Sequence, residues 1–161
     1  MMAAADPRLI LREDELDAGL ELLLLAEASL WAAVDAGLAA GDEGLGRSHW
    51  RAAYLLRRRP GVGVQELAHL TSLSKQAASR AIVDLAEKGL AEKAAGELDG
   101  RRRTARLTEA GEAFESRISE RLRAHIARAY RAAGLDGVAG ARRILSALAG
   151  ARAKSPAERG L

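Results

Sequence analysis

Between Pro60 and Gly89 the chain has room for two short helices and very little to join them. The stretch "VGVQELAHLTSLS" carries a compact helix through Gln65 to Leu70, with Leu67 and Leu70 turned inward. After a turn of about three residues Ser74 offers an N-cap, and "SKQAASRAIVDLAEKGL" continues as a second helix. Its apolar stripe is Ala78, Ile82, Leu85 and Ala86, and Gly89 supplies the left-handed residue that ends it. Two helices around so tight a turn form a helix-turn-helix, which narrows the fold more than any other feature of the chain.

The second of these helices begins unusually for one that only packs. Lys75, Gln76, Ser79 and Arg80 occupy its first two turns, and Ala77 is small enough to permit close approach. A helix entering the major groove of DNA needs this combination: small residues near the bases and donors at their edges. Glutamine can bond adenine in a bidentate way, arginine or lysine can read guanine, and alanine can touch a thymine methyl. The plain alternative is a solvated helix face.

After Gly89 the segment "AEKAAGELDGRRRTARLT" predicts a β-hairpin, with arms near Leu90–Ala94 and Thr104–Leu107 and glycines at 96 and 100. The arms are alanine-rich and poor in β-formers, so the preceding helices carry this reading. The tip holds Asp99, Arg101, Arg102 and Arg103. Three consecutive arginines repel one another and do nothing for folding. An anionic groove rewards them, through counterion release and insertion where the minor groove is narrow. Asp99, two residues before Arg101, is placed to orient it as an ion pair; a solvated charge run is the plainer account.

Helical periods flank this centre. From about Glu13 to Ala40, Leu16, Leu20, Leu23, Leu30, Val34 and Leu38 keep one stripe, widened by Leu24 and Trp31. "RSHWRAAYLLRRRPG" predicts a shorter helix capped by Ser48 and stopped by Pro60 and Gly61. Thr108 caps a long helix with Phe114, Ile118, Leu122 and Ile126 on one side; Gly134 closes it and Asp136 starts a last helix. One small core cannot cover this much apolar helix surface, so the terminal helices predict a homodimer.

Composition excludes more than it selects. Net charge is only +3, so the placement of arginines, not bulk charge, carries any argument for an anionic partner. The chain has no cysteine, which removes disulfides, thiol sensing and cysteine-based metal sites. His49, His69 and His125 are far apart in sequence, so neither a metal site nor a cofactor is expected. The opening residues lack the order of a signal peptide, and Glu21 and Glu27 interrupt the most apolar run; the expectation is a soluble, cytoplasmic protein with no membrane partner. No HExxH, GxSxG, Walker loop or complete GxGxxG is present, which argues against an enzyme.

The motifs "LSKQAASRAIVDLAEKGLA" and "LDGRRRTARLTEAGEAF" resemble the MarR family of bacterial winged helix-turn-helix regulators. Asp99-x-Arg101, then Leu107-Thr108 and Gly111, match the family's wing signature in type and spacing; "GRSHWRAAYLLRRRPGV" is similar to a subgroup with a Gly-Arg-x-His segment. The resemblance implies a mainly α fold with a small β-hairpin wing, as a single domain over 1–161. Within it, 48–108 would be the winged helix-turn-helix DNA-binding lobe, and 13–40 with 109–150 the helical dimerisation region. It implies a homodimer on a pseudo-palindromic operator in double-stranded DNA, contacted through Ser74, Lys75, Gln76, Ala77, Ser79, Arg80 and the wing residues. It also implies repression released by a small-molecule effector, for which Trp31, His49, Trp50, Arg51 and Tyr54 are candidate contacts; ordinary core and capping roles are the simpler account of these five. Absence of cysteine excludes the family's peroxide-sensing variant. The rival to a DNA-binding regulator is a winged-helix adaptor that binds protein, but such a module would show an apolar patch where this chain places polar and basic residues.

Overall fold

The computed structural model describes residues 9–93 and 105–150. The chain forms two compact units, 1–32 and 33–161, whose boundary falls within helix α1 (Glu13–Ala39).

In the first unit α1 opens with Glu13, Asp14 and Glu15, acidic residues at the positive end of the helix dipole. Of the stripe read from the sequence, Leu16, Leu20 and Leu23 are 52%, 57% and 43% exposed in the single chain. Leu22, Leu24 and Leu25 are exposed as well. The helix is also long and apolar enough to cross a membrane by length and composition, with a mean hydropathy of 1.6 over its most apolar window. The helix still includes Glu21 and Glu27, so it does not supply about 20 uncharged residues in a row. An acidic side chain at a bilayer centre costs on the order of 3 kcal/mol, so the two glutamates weigh against lipid.

The second unit holds the end of α1, then α2 (Arg47–Arg58), α3 (Val64–Thr71), α4 (Lys75–Glu87), β1 (Ala91–Lys93), β2 (Ala105–Leu107) and α5 (Glu109–Ala149). Its core is small and aliphatic: Val34, Ala52, Leu56, Leu67, Ala78, Leu85 and Ile118 are buried around the single phenylalanine, Phe114. Gly37 lies against α5 so closely that a Cβ there would sit 3.1 Å from the Ile118 backbone.

Gly46, not Ser48, is the N-cap of α2. The His49 ring takes over half of the capping: its Nδ1 accepts from the Gly46 N–H at 2.9 Å. Between α3 and α4, Ser72 adopts a left-handed conformation (φ 56°) and Ser74 Oγ accepts from the Ala77 N–H at 3.0 Å, so the expected cap is present. The buried stripe of α4 is Ala78, Ala81 and Leu85; Ile82 is half-buried and Ala86 exposed. The face is rotated toward its smallest residues, which let neighbouring elements approach closely.

The hairpin pairs Ala91 with Leu107, Glu92 with Arg106 and Lys93 with Ala105. Ala91 and Ala105 are buried, which accounts for alanine in arms that have little β propensity: the strands pack tightly, and size matters more than branching. An Arg106 Nε–Glu92 Oε1 ion pair at 2.8 Å spans the exposed side. Thr108 joins the hairpin to α5. Its N–H donates to the Leu90 carbonyl at 3.1 Å, its hydroxyl donates to the Gly89 carbonyl at 2.7 Å, and Oγ1 accepts from the Gly111 N–H at 3.2 Å. Helix α5 is broken at Gly134 (φ 71°, ψ 179°), where the sequence predicts one helix to close and another to begin. Beyond the break Leu135, Ile144, Leu145 and Leu148 are exposed.

Candidate DNA-binding helix and its supports

Helix α4 presents one polar face to solvent while Ala78, Ala81 and Leu85 bury the other. Ser74, Lys75, Gln76, Ser79 and Arg80 are exposed and Ala77 is half-buried, so the first two turns are open within the chain. Arg80 is restrained all the same. Its Nε pairs with Asp84 Oδ1 at 2.8 Å, one helical turn on. The other oxygen of Asp84 lies 2.9 Å from His49 Nε2. Because His49 Nδ1 already accepts a backbone N–H, the proton belongs on Nε2, which donates to Asp84. The His49 hydrogen bond and the Arg80 charge hold the Asp84 carboxyl below the usual carboxylate range against the opposing effect of desolvation.

Asp99, Arg101, Arg102 and Arg103 lie outside the described residues. The arms that would carry them are in place, anchored by Gly61 N–H to the Ala105 carbonyl at 3.3 Å.

A second polar cluster joins α2 to α5. Glu115 is fully buried and receives Arg57 Nη1 at 2.6 Å, Arg58 Nη1 at 3.2 Å and the Ser119 hydroxyl. Trp50 Nε1 donates to Ser119 Oγ at 3.3 Å, and the Arg58 guanidinium stacks 3.4 Å from the centre of the Tyr54 ring. Burial pushes the Glu115 carboxyl up, but Ser119, Arg57 and Arg58 outweigh it and leave it below its ordinary value. The sequence reading missed this carboxylate. Its signal was there: position 115 shares the face of Ile118 and Leu122 at helical spacing, where an unpaired charge would not survive.

Four of the five proposed effector residues have described partners on their own chain. His49 caps α2 and bonds Asp84, Trp50 bonds Ser119, Tyr54 stacks with Arg58, and Arg51 is half-buried. Trp31, in the first unit, donates to Glu27 Oε1 at 3.2 Å. An open groove along α5 is lined by Ala113, Ser116, Arg117, Glu120, Arg121 and Ala124, and by none of those five. Among the described residues no group of three or more His, Asp or Glu is gathered to hold a metal.

A helix-turn-helix followed by a two-stranded hairpin packed on the same small core defines a winged helix-turn-helix protein. Comparison with known proteins narrows the class. A family model described as MarR family matches residues 43–102. The HTH-type transcriptional regulator PetP of Rhodobacter capsulatus is 36% identical over 140 residues, which cover 87% of this chain and 83% of that protein. The chain belongs to the MarR family of transcriptional regulators. Among solved structures, Mycobacterium tuberculosis Rv1404 has the same fold, with a TM-score of 0.66 at 24% identity over 91% of this chain and 99% of that one. Mycobacterium tuberculosis Rv2887, a MarR family protein solved in complex with DNA, matches with a TM-score of 0.60 and 26% identity over 81% of this chain and 96% of that one. The same protein solved with p-aminosalicylic acid matches with a TM-score of 0.60 and 27% identity, covering 81% and 97%.

Proposed function

We propose that this chain is a cytoplasmic, homodimeric, sequence-specific DNA-binding repressor that acts on a pseudo-palindromic operator and is released by a small ligand. The observation that carries the reading is the α4 face. Lys75, Gln76, Ser79 and Arg80 are exposed together on the first two turns of a helix whose other side is sealed in the core. Donors and small residues in that order suit the edges of bases in a major groove. Arg101, Arg102 and Arg103, which stand in the sequence between the two strands, would supply the phosphate-facing charge that such a helix needs to hold its register.

Dimerisation draws support from the bare leucines of α1 and the exposed apolar residues beyond Gly134, more apolar surface than a monomer comfortably leaves in water. The DNA and p-aminosalicylic acid complexes of Rv2887 support DNA and effector as the two ligand classes. An adaptor that binds protein alone is the second reading; Val83, 44% accessible, is the one large apolar residue exposed on α4 in its favour, and Asp84 follows it directly.

Arg80→Ala tests the assignment. On a duplex recovered by the wild-type protein from random DNA, the loss of a base-reading arginine should cost about 1–3 kcal/mol of specific binding in a gel-shift titration. Unchanged affinity removes Arg80 from the interface.

A further inference from the structure

We propose that Asp84, fixed by His49, is a positioning residue for the DNA-reading arginine, and that His49 thereby sets the specificity of a helix to which it does not belong. The inference rests on the reading of α4 as the recognition helix. A solvent-exposed arginine has many rotamers, and immobilising such a side chain against a base costs about 0.5–1.5 kcal/mol when binding must do it alone. Here Arg80 is 72% exposed, yet its Nε is held 2.8 Å from Asp84 Oδ1. The contact uses the side edge of the guanidinium. The terminal nitrogens are the pair that reads guanine O6 and N7.

An exposed pair at this spacing is ordinarily loose. Asp84 differs because its second oxygen is tied to another helix. His49 Nε2 lies 2.9 Å from Asp84 Oδ2, and the ring is held from behind by the Gly46 N–H on Nδ1. His49 and Asp84 are only 17% and 20% exposed, so the carboxylate cannot swing freely to follow Arg80. The chain Gly46–His49–Asp84–Arg80 therefore runs from the α2 N-terminus to the face of α4.

A merely structural role would lower all binding together. A positioning role acts on discrimination, and only through Arg80. The test is a thermodynamic cycle on the full chain. Affinities are measured for a duplex selected by the wild type and for the same duplex with the Arg80-dependent base pair changed, using wild type, Arg80→Ala, Asp84→Asn and the double variant. Asp84→Asn should reduce the ratio of the two affinities about threefold to tenfold in the wild-type background. It should leave the ratio unchanged once Arg80 is alanine. Asp84→Glu, which keeps the charge but displaces it by a methylene, should fall between wild type and Asp84→Asn, and it serves if the amide variant does not fold. His49→Gln should reproduce the Asp84→Asn loss in part. An equal change with and without Arg80, or no change in discrimination, overturns the positioning role while leaving the DNA-binding reading intact. If the wild type selects no duplex, both fall together.

Discussion

Replacing Gly111 with alanine pits two rules against each other. Gly111 sits in the first turn of α5, and glycine within a helix costs up to about 1 kcal/mol relative to alanine, so propensity alone predicts a stabilised protein. The packing says otherwise. A Cβ at this position would lie 1.8 Å from the Leu90 carbonyl oxygen and 2.8 Å from its carbon. Carbon and oxygen approach to about 3.3 Å without penalty, so backbone must move by roughly 1.5 Å. That carbonyl is the acceptor for the Thr108 N–H, at the junction of β1, β2 and α5. Overpacking of this kind costs about 1–3 kcal/mol, and losing the hydrogen bond about 0.5–1.5 kcal/mol more. After the gain in propensity, Gly111→Ala should destabilise the chain by about 1–3 kcal/mol. At roughly 2–4 °C per kcal/mol for a chain of this size, the midpoint of thermal unfolding should fall by several degrees. Urea titration followed by helical circular dichroism, at fixed protomer concentration, reads the change directly. A variant as stable as the parent, or more so, would refute the close approach and with it the account of why glycine stands there.

Glu115 gives the chain a pH dependence. Its pKa is lower folded than unfolded, so its contribution is complete above the ordinary value of 4.5 and is lost as pH falls through the folded value. Stability should therefore drop below about pH 4.5, and Glu115→Gln should flatten that part of the curve; parallel curves for parent and variant would rule the linkage out. The bare leucines of α1 give a test of assembly. Leu16→Glu with Leu20→Glu should yield folded monomers by light scattering, because both side chains are more than half exposed in the single chain; persistent dimers would place the interface elsewhere.

The sequence revealed those features whose cause is local. Ser74 and Thr108 announce their helices because a hydroxyl cap acts within three residues, and Gly89 and Gly134 mark their breaks because only glycine adopts those angles cheaply. Ser48 misled because a tertiary contact won: His49, held by Asp84 on another helix, already serves the α2 N-terminus, and Gly46 became the cap. The α4 stripe was read with Ala86 in place of Ala81 and with Ile82 too deep, because Ala81 and Ala86 are chemically identical in the chain and differ only in what packs on them. For the candidate site, the exposed face of α4 was legible from residue type and spacing. The supports behind it were not. An Asp84–Arg80 pair can be read at a separation of four, but the His49–Asp84 contact joins residues 35 apart and exists only once α2 and α4 are packed. Glu115 lies between these cases, visible as a charge on an apolar face while its arginine partners, 57 and 58 residues away, were not.

The central claim is that paired copies of this chain read DNA through α4, and selection of bound duplexes from a random-sequence pool tests it most directly. A dimer that reads DNA this way should enrich an inverted repeat whose half-sites are centred about one helical turn, ~34 Å, apart. Recovery of no enriched sequence, or of isolated half-sites without symmetry, would contradict it.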